Sequence, residues 1–160
     1  MEQSVVQVLV IPDSLEDVSV IRQLVKSCED STSSFVVYET VTYEDSLKAR
    51  VSNGFDVCFL DHNLTGYPID GLDLLERAIA GGCTNPVILL TSMNDEDIEW
   101  AAFESGAAEF LNKNLDMNSR AIKQTIRYAI RSHKQIQGVE LRLRTVQKQL
   151  TAIARTYRRG

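Results

Sequence analysis

Asp56-Val57-Cys58-Phe59-Leu60-Asp61 is the stretch on which the reading of this chain turns. It is an apolar run that reads as a buried strand, and it closes on a carboxylate. A charge at the exit of a buried strand loses hydration unless a metal or a cation pairs with it. Three other segments end in residues able to serve. Val5 to Ile11 runs into Pro12-Asp13, Pro86-Val87-Ile88-Leu89-Leu90 into Thr91-Ser92, and Glu109-Phe110-Leu111 into Asn112-Lys113. Four strand ends thus present Asp61, Asp13, Thr91 and Lys113. In an open parallel sheet they share one edge, where α/β proteins bind their ligands.

Strand and helix patterns alternate around these runs. Strands are expected at 5–11, 35–39, 56–60, 86–91 and 108–111, and helices near 14–27, 43–52, 70–80 and 95–105. Asn53-Gly54, Gly81-Gly82 and Gly106 stop helices two, three and four. Asp95, Glu96 and Asp97 suit the positive end of the fourth. A last helix begins near Asn118. The five-fold alternation predicts an α/β fold with a doubly wound, five-stranded parallel sheet.

The motifs resemble the receiver domain of two-component response regulators over about residues 5–133. The resemblance rests on Leu9-Val10-Ile11-Pro12-Asp13, Phe59-Leu60-Asp61-His62-Asn63-Leu64, Asp70-Gly71-Leu72-Asp73-Leu74-Leu75, Pro86 to Ser92, and Ser105-Gly106-Ala107-Ala108-Glu109-Phe110-Leu111-Asn112-Lys113, all in order. It implies a flavodoxin-like sheet of order 2-1-3-4-5, with Asp61 as phosphoacceptor. Asp13 and Asp61 would ligate Mg²⁺ directly, and Asn63 would offer it a backbone carbonyl. Thr91 would hydrogen-bond the phosphoryl group, Lys113 would pair with it, and Phe110 would change rotamer on activation.

Three features depart from the family pattern. Pro12 stands where the first of two adjacent acids is usual, which predicts weakened Mg²⁺ binding. Glu16 or Asp17, just beyond, would restore part of that charge. Asn114 follows Lys113 where proline is usual. A cis bond without proline costs about 3–4 kcal/mol, so a trans bond is expected here. The loop from Asp61 to Gly71 is about two residues longer than is usual in the family.

Residue by residue, plainer roles stand beside these. Asp61 also suits a cap or loop acid, and Asp13 a cap for the helix starting near Ser14. The Thr91 hydroxyl has partners within reach in its own loop, Lys113 suits a surface, and Phe110 suits a core. His62 and His133 lack partners at metal-ligand spacing. Trp100 fits an exposed partner contact and half-buried packing equally well.

Composition narrows the class. One domain with a tail fits 160 residues. No run approaches the ~20 apolar residues of a membrane span, and the start lacks the pattern of a secretory signal. Cys28, Cys58 and Cys83 are odd in number and form no metal spacing, so a reduced, cytoplasmic protein is expected, with Cys58 in the core. Charge is strongly segregated. Residues 1–117 hold 6 Lys+Arg against 21 Asp+Glu, and residues 118–160 hold 11 against one, so −15 and +10 make up the net −5.

The last helix outruns the domain. Its apolar and semi-apolar positions are Ile122, Ile126, Ala129, His133, Ile136, Val139, Leu143, Val146, Leu150, Ile153 and Tyr157, a heptad seam with one phase break near Gly138. The chain therefore divides into a receiver over 1–133 and a helical coiled-coil extension over 134–160, with a parallel homodimer as the expected partner arrangement. Docking of the basic helix on an acidic receiver is a further reading. Nucleic acid is not expected, since the tail lacks the aromatic platforms of single-strand binders and a helix-turn-helix pattern.

Together these readings describe a regulatory phosphoacceptor and not an enzyme. The resemblance implies that a histidine kinase would load Asp61 with Mg²⁺ as cofactor, and that the coiled coil would carry the signal to an output module expected beyond residue 160. The other class is a pseudo-receiver, a dimerisation and binding module independent of phosphate, motivated by Pro12 and Asn114.

Overall fold

In the computed structural model the described residues are 2–40, 45, 54–93 and 96–159. Strands β1 (Ser4–Ile11), β2 (Ser33–Glu39), β3 (Val57–Asp61), β4 (Val87–Thr91) and β5 (Glu109–Asn112) alternate with helices α1 (Leu15–Ser27), α2 (Gly71–Ala80), α3 (Glu96–Glu104) and α4 (Ser119–Arg159). The sheet order is β2-β1-β3-β4-β5 and every described pairing is parallel, as the alternation and the resemblance led us to expect. The helix expected over 43–52 falls outside the described residues apart from Asp45, as do Asn53 and Asp95.

Side chains of a strand point alternately to opposite faces, and the apolar runs build two cores accordingly. Val8, Val10, Val57, Phe59, Ile88 and Leu90 face α1 and α4, where Val18, Ile21, Val25, Ile122, Ile126 and Ala129 meet them. Leu9, Ile11, Cys58, Leu60, Val87 and Leu89 face the other way, toward Leu74 and Leu75 of α2 and Ala102 of α3. β3 and β4 are buried from end to end. That explains why their sequences are continuous apolar runs without polar alternation.

Local signals set the helix ends. The Ser14 hydroxyl caps α1 by accepting from the Asp17 N–H at 3.2 Å. The Asp70 carboxylate caps α2 by accepting from the Asp73 N–H at 2.9 Å. Asn118 does the same for α4, from the Ala121 N–H at 2.9 Å. Near its start, α4 is pinned to the α1–β2 turn, with Lys123 Nζ at 2.9 Å and Arg127 Nη2 at 3.3 Å from Asp30 Oδ2.

α4 runs unbroken for 41 residues, about 60 Å at 1.5 Å per residue. Gly138 interrupts the apolar spacing but not the helix. Ile122, Ile126 and Ala129 are buried, whereas Ile136, Val139, Leu143, Val146, Leu150, Ile153 and Tyr157 are all exposed.

Gly71 joins the fold to the edge where the four strand ends gather. Its N–H donates to the His62 carbonyl at 2.7 Å. A Cβ at this position would stand 2.1 Å from the Asp61 backbone oxygen. Backbone on both sides leaves no flexible group to yield. Gly71→Ala is expected to destabilise the protein by about 1–3 kcal/mol, the usual range for overpacking, read as a lower urea midpoint.

Candidate functional site

The C-terminal ends of β1, β3, β4 and β5 bring Asp13, Asp61, Thr91 and Lys113 to one edge of the sheet. Asp61 is the last residue of β3 and is 1% exposed. Lys113 Nζ hydrogen-bonds its Oδ2, and the same ammonium lies 3.0 Å from Asp17 Oδ2. The Asp13 N–H also reaches Asp61 Oδ2, at 3.4 Å. Lys113 is thus no free surface lysine; it bridges two carboxylates, one from β3 and one from α1.

Ser14 takes the capping role that Asp13 also suited, which leaves the Asp13 carboxylate for other work. Asp13 Oδ1 accepts from the Thr65 N–H at 2.7 Å. The long loop after β3 therefore reaches back across the site and orients this acid. Leu64 is buried beneath it, with Tyr67 and Ile69 packed on the same core. Asn63 is exposed at the start of the loop.

Thr91 is buried, and its hydroxyl accepts from the Met93 N–H at 3.2 Å. His62 Nδ1 lies 3.4 Å from the same oxygen, and His62 Nε2 lies 3.9 Å from Asp70 Oδ2. His62 thus fills a space between Thr91 and the cap of α2, a contact with no signature in the sequence. Phe110, on edge strand β5, is half-buried against the α2–α3 core. Trp100 proves exposed rather than half-buried, at 67%.

The Lys113–Asn114 turn is held by amides. No peptide bond among the described residues is cis. Asn112 Oδ1 accepts from the N–H of Asn114 at 2.8 Å and of Leu115 at 3.3 Å. Asn114 Nδ2 donates to the Ser92 carbonyl at 3.0 Å. The Lys113 N–H donates to the Thr91 carbonyl at 2.7 Å, extending the ladder by one residue and aiming the side chain along the edge.

The electrostatics follow from burial and these partners. Burial pushes the Asp61 carboxyl up to about 6; the bond and charge of Lys113 pull it back, and the nearby charge of Asp17 adds to the rise. At Asp13 burial acts upward too, but the Thr65 bonds and the Lys113 charge outweigh it and hold the carboxyl below its ordinary value. Burial lowers Lys113, yet its bonds to Asp61 and Asp17 outweigh that and keep the ammonium above its ordinary pKa. Three carboxylates then face one ammonium. The excess negative charge and hard oxygen donors suit a divalent cation such as Mg²⁺, which takes few protein ligands and keeps several waters. Among the described residues no three His, Cys, Asp or Glu side chains form a ready metal cage.

The description "response regulator receiver domain" matches residues 8–127, and the chain belongs to that family. Receiver domains are regulatory modules of two-component signalling that work with histidine kinases and output domains and use Mg²⁺ for phosphorylation. One curated relative is the cyclic di-GMP phosphodiesterase response regulator RpfG of Xanthomonas campestris, 24% identical over 147 residues. The match takes in 91% of this chain but spans only 37% of that relative's length. Among solved structures, NtrX of Brucella abortus superposes with a TM-score of 0.72 at 18% identity, covering 86% of this chain and 29% of that one. A receiver domain protein from Clostridium thermocellum gives 0.68 at 23%, covering 82% and 98%. The receiver domain of a modulated diguanylate cyclase from Desulfovibrio desulfuricans gives 0.67 at 21%, covering 82% and 98%. These structures share the fold. No helix among the described residues is long and apolar enough to cross a membrane.

The raised Asp61 carboxyl has a measurable consequence. An acid whose native pKa lies above its unfolded value of about 4 favours folding when protonated. That contribution is present below about pH 4 and is lost as pH rises through about 6. In metal-free buffer, Asp61→Asn is expected to flatten the fall in stability over this window. At pH 7 it should leave the protein more stable by on the order of 1–3 kcal/mol, read from urea unfolding at several pH values.

Proposed function

We propose that this chain is a working phosphoacceptor switch, with Asp61 as the residue phosphorylated by a histidine kinase. The observation that carries this reading is the buried Asp61 carboxylate at a strand end, bonded through one oxygen to Lys113 and to the Asp13 N–H. A carboxylate oxygen attacks the phosphorus of a phosphohistidine. The P–N bond breaks, a P–O bond forms, and the imidazole departs with a proton. The product is an acyl phosphate on Asp61.

Phosphoryl transfer needs positioning and charge neutralisation more than covalent work by the protein. Lys113 supplies a fixed positive charge beside the incoming group. Asp13 and Asp61, with the Asn63 carbonyl, are the residues that would hold Mg²⁺, and the ion would neutralise phosphoryl charge when bound. The Thr91 hydroxyl, which accepts from the Met93 N–H, would donate its own proton to a phosphoryl oxygen. Phe110, on the neighbouring strand, would change rotamer as Thr91 shifts toward that group.

Receiver and tail divide near residue 133, and the tail is the transmitting element. Its seam is exposed on every apolar residue from Ile136 to Tyr157, and α4 carries the signal physically because it is one helix from the sheet to the tail. We propose that the seam pairs with that of a second copy as a parallel homodimer. Leu143 and Leu150 take the a positions and Val139, Val146 and Ile153 the d positions; leucine at a with β-branched residues at d shifts preference toward three or four strands, so the dimer is the smallest assembly expected. An output module would receive that signal; this chain spans only 37% of the length of RpfG and 29% of that of NtrX. Pro12 favours a second reading, a phosphate-independent dimerisation module.

Two measurements test this. After incubation with acetyl phosphate and Mg²⁺, intact mass is expected to rise by one phosphoryl group in the parent protein and not in Asp61→Asn. An unchanged mass in folded parent protein would move the assignment to the phosphate-independent module. In sedimentation equilibrium the parent is expected to be at least dimeric, and Val146→Lys with Leu150→Lys to be monomeric. A monomeric parent at high micromolar concentration would rule out the seam.

A further inference from the structure

The acid absent at position 12 leaves a question that the structure answers with another residue. Asp17 is the third residue of α1, four positions beyond Asp13. Its N–H bonds the Ser14 cap. In the capping-box arrangement an acid at this position turns back to the N–H of the cap. Asp17 instead reaches across the site to Lys113, 96 residues away in sequence, at 3.0 Å. Glu16, its neighbour, is exposed and has no described partner in the site.

Exposure orders the three charged side chains by depth. Counting side-chain atoms alone, Asp61 is 2% exposed, Lys113 18% and Asp17 29%. Asp17 is therefore the most exposed of the three, and it shares the Lys113 ammonium with Asp61. A carboxylate there is open to water as well as to the ammonium. Pro12, by contrast, brings no oxygen donor on its side chain.

We propose that Asp17 replaces the carboxylate missing at position 12, accepting hydrogen bonds from water on a bound Mg²⁺ ion while it steadies Lys113 against Asp61. The inference rests on the Mg²⁺ site proposed above. It makes Asp17 a positioning residue that acts through water and through Lys113. The acid has moved from the strand end to the first turn of the following helix. The charge of the site is kept although the β1 motif is broken. Outer-shell partners of this kind typically change metal affinity by 10–100-fold.

The test is a Mg²⁺ titration of the full chain followed by amide spectra, with folding of each variant checked by its thermal transition. Asp17→Asn is expected to weaken Mg²⁺ binding about tenfold, and Asp17→Glu to bind nearly as the parent does. Pro12→Asp added to Asp17→Asn is expected to restore affinity, because the charge returns from the other side. Asp13→Asn serves as the reference and should abolish binding. Parent-like affinity in Asp17→Asn, with loss in Asp13→Asn, would overturn the role of Asp17 and leave the site standing. Failure of Pro12→Asp to restore a weakened Asp17→Asn would overturn the replacement. A parent without any Mg²⁺-dependent shift at millimolar ion would remove both the role and the site.

Discussion

The structure depends on a carboxylate held where water cannot compensate it. Asp61 closes a strand buried along its whole length, and its charge is answered by Lys113 from the neighbouring end of the sheet. Removing both charges from water is costly, and Lys113 repays that cost only in part, since burial still holds the Asp61 carboxyl above its ordinary value. The surrounding features hold the pair in place against that cost. The Asp13 N–H adds a bond to the same oxygen, and Gly71 lets α2 start against the Asp61 carbonyl. The Asn112–Asn114 amides lock the turn that carries Lys113.

The segregation of charge along the chain follows the division of labour. The sheet and its loops are strongly acidic, and α4 is strongly basic. The two meet where Lys123 and Arg127 close on Asp30, whose bonds to Thr32 and Lys123 hold its carboxyl well below the usual range. These partly exposed pairs contribute modestly to stability. They do fix the rotation of α4 on the domain, with Ile122, Ile126 and Ala129 inward. The direction in which the seam from Ile136 onward projects is thereby fixed as well.

Much of the fold was legible in the residues because its signals are local. Apolar runs of five to seven residues, punctuated by Gly and Asn and separated by helical spacing, define the parallel sheet without reference to tertiary contacts. The boundaries found in the structure differ from those expected by one or two residues. Family resemblance then supplied the sheet order. Asp13, Asp61, Thr91 and Lys113 were legible as candidates for the same reason, since each terminates a strand and a parallel sheet aligns such ends.

The sequence by itself determined which of the described elements form, which residues stand at the C-terminal edge of the sheet, and that the last helix runs past it. Only the tertiary structure decided who meets whom there. Ser14 rather than Asp13 caps α1, so Asp13 is free to face Thr65 across 52 positions. Between Glu16 and Asp17, adjacent acids of one kind, it is Asp17 that turns to Lys113. His62 lies against the Thr91 hydroxyl, which motif spacing does not reveal. Such choices depend on helix rotation and rotamers fixed by packing between distant segments, and a one-dimensional pattern carries no record of them.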